Sequence, residues 1–209
     1  MFTRFTILMF VCILCAVATI LIKLLVPKSS RLLWLPVFSF LVSIVGDEFL
    51  RTRSTDTHFM MGILFYFFAH IGFLIYALKV ITKGWPSLAV MVAVIVPMLL
   101  FYALALWPSQ PLQNNSIFAL AVLAYILISC FTLAASVNIK NRFSWHWLYA
   151  LGILCLIISD IFIALGGFAG IKTFSHLVLP VFYAAYVLVA LSLLAGHVKP
   201  VREAAKRLP

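Results

Sequence analysis

The sequence predicts an all-α protein, a polytopic transmembrane bundle of seven helices forming a single domain over residues 1–209. Three observations carry that prediction. Of the residues, 66% are hydrophobic and only 10% charged, a balance that no water-soluble domain of this length tolerates on its surface. The apolar residues gather in runs long enough to cross roughly 30 Å of hydrocarbon. Short stretches rich in turn residues and charges separate the runs.

Taken in order, the first run covers residues 5–26 and contains FTILMFVCILCAVATILI. Its apolar part is longer than a secretory signal core and no A-x-A-like site follows, so it reads as a membrane helix. VPKSSR closes it. The second, 32–50, ends in FLVSIVGDEFL and is followed by RTRSTDT. The third, 58–79, carries FYFFAHIGFLIY and stops at KVITKGWP; the fourth, 86–107, stops at WPSQPLQNN. The fifth, 116–136, gives way to NIKNRFSWHW, and the sixth, 145–166, carries LIISDIFIALGGF. The seventh, 175–196, contains Pro180, a kink point, and leads into a basic tail at 197–209, HVKPVREAAKRLP. Connections this short join antiparallel neighbours and leave no room for a soluble domain.

Orientation follows from the basic residues. Lys23, Lys28, Arg31, Lys79, Lys83, Lys140, Arg142, Lys199, Arg202, Lys206 and Arg207 fall on one side of the weave; Arg4, Arg51, Arg53 and Lys172 fall on the other. The excess places the C-terminus in the cytoplasm and the N-terminus outside. Trp85, Trp107, Trp145 and Trp147 stand at helix ends, as interfacial anchors do. The net charge of +10 is scattered between apolar runs, which suits topology and anionic lipid headgroups, not nucleic acid. Cys12, Cys15, Cys130 and Cys155 lie inside apolar runs, where a thiol behaves as a small hydrophobe.

Against this background the acidic residues stand out. The chain has five, and a charge near the centre of a bilayer costs about 2.5–3.5 kcal/mol on insertion scales. Asp47 and Glu48 end the second helix near its outer end. Asp160 lies in the sixth, roughly 9 Å short of its outer end at about 1.5 Å per residue. Tyr66 and His70, four apart on the third helix, share a face; Tyr183 and Tyr186 occupy the last. Two aspartates and a histidine can therefore meet in the outer half of the membrane. Duller roles exist: Asp47 or Glu48 can pair with Arg51 or Arg53, and His70 can tie helices together. Asp160 has no basic residue within a turn. Asp56 falls in the connecting stretch RTRSTDT beside basic residues, where a solvated loop position is expected.

Several chemistries lack their residues. A retinal protein needs a lysine within its last helix, and 175–196 has none; the five histidines are scattered, without the H-x-x-x-H spacing of an intramembrane zinc hydrolase. Neither G-x-S-x-G nor a Walker A sequence occurs.

SIVGDEFL, then FMMGILFYFFAHIGFLIYAL with its G-x6-A-H, later ISDIFIALGGF and VFYAAYVLVALSLL, together resemble the YhhN family of membrane lysoplasmalogenases over about residues 38–196. The resemblance implies a bundle that often has eight helices. It also implies hydrolysis of the vinyl ether bond of lysoplasmalogens to a fatty aldehyde and a glycerophospho-headgroup, with no cofactor and no metal. Carried over, the family's paired aspartates fall on Asp47 and Asp160, its A-H on Ala69 and His70, and its last-helix tyrosine on Tyr183. Tyr186 stands where the family often has Gln, and Glu48 where it often has an apolar residue.

Two carboxyls suit that chemistry. A vinyl ether hydrolyses by protonation of its β-carbon, giving an oxocarbenium ion that water captures as a hemiacetal. One carboxyl in an apolar site can hold its proton while a better hydrated partner stays ionised, as in glycosidases. Asp160 is expected to be the general acid, and Asp47, nearer water, to stabilise the cation and activate water; the roles can also be exchanged. His70, Tyr66, Tyr183 and Glu48 would support or orient them. Arg51, Arg53 and Lys172 would hold the lysophospholipid headgroup at the outer face of a bacterial cytoplasmic membrane. The competing expectations are a non-enzymatic lysolipid-binding or lipid-moving protein and a proton-coupled transporter.

Overall fold

The computed structural model describes residues 2–25, 31–51, 56–81, 85–137 and 145–205. These form eight α-helices and no strand: α1 Phe2–Leu25, α2 Trp34–Arg51, α3 Asp56–Tyr76, α4 Leu88–Phe101, α5 Gln110–Asn114, α6 Ser116–Val137, α7 His146–Gly167 and α8 Val178–Ala205. The eighth helix beyond the seven expected is α5, five residues long, opened by Pro111 next to its first position. It is far too short to span a bilayer. Six helices are long and apolar enough to cross a membrane among the described residues, and the apolar part Phe10–Leu24 of α1 is somewhat shorter. The protein is an integral membrane protein by this measure.

Three expectations about local structure change. Pro180 lies in the first turn of α8, where its missing N–H costs no hydrogen bond, so it marks the start of the helix and not a kink within it. α8 also continues to Ala205, through much of the segment read as a tail. α3 and α4 each end in a wide π turn, Ala77–Ile81 and Tyr102–Leu106, so the expected ends at 79 and 107 fall at or beside irregular helix.

α1, α2, α3, α6, α7 and α8 pack in that order into a closed ring, α1 meeting α8, while α4 stands outside against α6. Small residues permit the close approaches. A side chain at Gly152 of α7 would put its first carbon 2.9 Å from the Ala185 carbonyl of α8, so glycine there lets the two backbones touch. Buried hydroxyls then tie the helices together. Ser39 donates to the Ala69 carbonyl (2.8 Å), Thr132 to that of His70 (3.3 Å) and Tyr149 to that of Phe73 (2.8 Å), so α2, α6 and α7 all bond to α3. At the end of α7, Gly170 adopts φ 70°, a left-handed conformation that glycine takes without strain, and the chain reverses toward α8.

α4 contrasts with the ring. It is the most apolar span yet contains no buried residue, and Leu88, Val92, Val96, Leu100 and Leu104 form an exposed stripe along it. In lipid such a stripe faces acyl chains, which cost it nothing.

Candidate active site

Asp47 stands one turn before the end of α2 and is only 4% exposed. One carboxylate oxygen accepts a hydrogen bond from the Tyr66 hydroxyl of α3. Tyr66 cannot wander. Its ring packs on Gly46, where a methyl group would come within 3.1 Å of it, and meets the Phe182 ring of α8 edge-on at 5.8 Å.

One turn along the same face of α3 is His70, 1% exposed. Its Nε2 lies 4.0 Å from Asp160 Oδ2, beyond a direct hydrogen bond. Its ring meets that of Tyr125 edge-on at 5.4 Å. Asp160, on α7, accepts a 2.5 Å hydrogen bond from the Tyr125 hydroxyl of α6 at the same Oδ2. Each aspartate thus has a phenol as hydrogen-bond donor, from α3 for one and from α6 for the other. Tyr186 of α8 is fully buried and packs its ring edge-on against Phe182 at 4.6 Å. Of the expected residues, Tyr66 is brought onto Asp47 and His70 beside Asp160.

Beside this cluster lies a partly open cavity of about 70 Å³ between α3, α4, α6 and α7. Its polar lining is Asp160, Tyr125, Tyr66 and Ser129; the rest is aliphatic and aromatic, with Phe59, Phe101 and Phe168 among it. An apolar chain fits such a wall, and the carboxyl of Asp160 is its one charged group among the described residues.

The exposures of the two acids differ from expectation. Asp47 was expected nearer water and Asp160 more enclosed; instead the side chain of Asp160 is 17% exposed at the cavity wall, and Asp47 is closed off behind Tyr66. Depth along a helix did not decide hydration; the neighbouring rings did, so hydration does not assign the acid role, and what favours Asp160 is its place on the cavity wall. Glu48 and Tyr183 are partly buried, Tyr183 against the main core, and neither lines the cavity. Lys172 is exposed in the turn after α7. The side chain of Arg51 and the whole of Arg53 lie outside the described residues.

Tyr125 was not anticipated. A faint signal existed: it is a lone phenol in a strongly apolar helix, and a buried phenolic hydroxyl requires a partner. No three His, Cys, Asp or Glu side chains cluster in metal-binding range among the described residues.

The fold and the cluster define a class, polytopic helical membrane proteins with two phenol-bonded carboxyls, one buried and one on the wall of a largely apolar cavity. Within that class the assignment is specific. The model of the YhhN family matches residues 1–193, and the chain belongs to that family. No curated protein and no solved structure matches it.

Proposed function

We propose that this protein is a membrane-embedded hydrolase that cleaves the vinyl ether bond of lysoplasmalogens, releasing a fatty aldehyde and a glycerophospho-headgroup. One observation carries the reading: Asp160, with a phenol donating to it, is the one carboxyl lining a largely apolar cavity among the described residues. Membership of the YhhN family supports it.

In this reading the alkenyl chain occupies the cavity and Asp160, in its acid form, protonates the β-carbon of the vinyl ether. The Tyr125 hydroxyl, bonded to Oδ2, stabilises the carboxylate that proton loss leaves, since hydrogen bonds to an ionised acceptor are the stronger kind. Asp47 has to be ionised in this reading despite its enclosure, with the Tyr66 hydroxyl donating to the carboxylate, so that its negative charge favours the developing oxocarbenium ion. Water adds, and the hemiacetal collapses to aldehyde and alcohol. The cavity lies where α2, α4 and α7 end and α3 and α6 begin. The distribution of Lys and Arg supports an outer position for that end, with the exposed Lys172 offered to a headgroup.

The test is aldehyde release from a lysoplasmalogen by purified protein in detergent, for wild type and Asp160→Asn. Turnover in wild type and a fall of roughly 10²–10⁴-fold in the variant is expected for a lost general acid. Well-folded wild type that binds lysolipid but releases no aldehyde across headgroups would leave the apolar cavity as a lipid-carrying site.

A further inference from the structure

The two aspartates do not face the cavity alike. Asp160 is part of its wall, whereas Asp47 is not; between Asp47 and the cavity stands Tyr66, whose side chain lines the wall while its hydroxyl donates to Asp47 Oδ1. The contacts with Gly46 and Phe182 hold the ring in that place. A phenol has one O–H, and here it is committed to Asp47. Its oxygen lone pairs can still accept a hydrogen bond, and Tyr66 is part of the cavity wall.

We propose that Tyr66 is a catalytic residue and that Asp47 acts through it: the phenol oxygen takes a proton from the attacking water while its own proton passes to Asp47. The proposal rests on the vinyl ether reading and assigns to Asp47 a role without direct contact with substrate. The protons balance over a full cycle. Asp160 gives its proton to the β-carbon, and the C=C electron pair forms the new C–H bond, leaving the α-carbon as oxocarbenium. Water oxygen bonds to that carbon, and the released proton moves to Tyr66 as the Tyr66 proton moves to Asp47. In the collapse of the hemiacetal its O–H proton returns to the Asp160 carboxylate. The C–O electron pair leaves on the glycerol oxygen, which is protonated from Asp47 through Tyr66. Both acids end as they began, and one water is consumed per aldehyde and alcohol formed.

Aldehyde release by the full-length protein in detergent tests this with Tyr66→Phe, Asp47→Asn and the double variant, each checked by thermal melting. Tyr66→Phe keeps the ring and its packing, so it separates chemistry from structure. Each single change is expected to lower kcat by roughly 10²–10⁴-fold with KM little changed, as loss of a proton-transfer group does. The double variant should be no worse than the poorer single, because both changes break one pathway. A Tyr66→Phe protein with kcat within roughly 3-fold of wild type, or losses that multiply in the double variant, overturns the relay while leaving the enzyme reading intact. Wild type without turnover overturns the enzyme reading, and the relay with it, and is recognised before any variant is made.

Discussion

At the scale of single residues, the phenols decide how the acids behave. Tyr125 donates to Asp160 at 2.5 Å, and a hydrogen bond to an ionised group contributes about 1.5–3 kcal/mol. Tyr125→Phe is therefore expected to slow aldehyde release by roughly 10–100-fold, read from kcat at saturating lysolipid. The acids were legible in the sequence because a carboxylate inside an apolar run is costly and therefore conspicuous, and the i, i+4 spacing of Tyr66 and His70 put both on one face. Tyr125 was not conspicuous, because an aromatic ring is at home in lipid and only its hydroxyl asks for a partner. Which acid is the more enclosed was not legible at all. It depends on Tyr66 folding over Asp47 from another helix, and a linear pattern does not record which rings cover which carboxylate.

At the scale of elements, contacts between helices rest on small residues and buried hydroxyls in place of the hydrophobic drive that lipid removes. Gly152 is the sharpest case. Gly152→Val would force α7 from α8 at the Ala185 carbonyl, and overpacking of this kind costs about 1–3 kcal/mol; thermal melting in detergent should show the loss. Since α7 carries Asp160, the same change should also reduce turnover. The long helices were readable from hydropathy, with ends within a few residues at most boundaries. The extension of α8 and the place of Pro180 were missed for one reason: hydropathy marks where a helix leaves lipid, not where its hydrogen bonds stop. The position of α4 was hidden for a related reason, because in a membrane a lipid-facing helix and a core helix share the same composition.

At the scale of the whole molecule, the site is a cavity in the flank of a ring. α4 supplies Met98 and Phe101 of its lining, and the π turn after it Leu106, from outside that ring. Met98→Trp should crowd the cavity, raising KM for long alkenyl chains more than for short ones; steady-state kinetics across chain lengths would show it. The orientation is open to direct measurement. Cysteine placed at Lys172, which is exposed, should react with a membrane-impermeant maleimide added outside spheroplasts. Labelling only after lysis would invert the orientation and put the site in the cytoplasmic half. The exposed stripe of α4 also bears on how the protein must be assayed. A molecule reaching the cavity past that helix comes from among neighbouring lipids, so what the protein senses is the surface fraction of substrate in the bilayer or micelle, not its amount per litre. Inert detergent added at constant total substrate should then slow turnover, as if the substrate itself had been diluted.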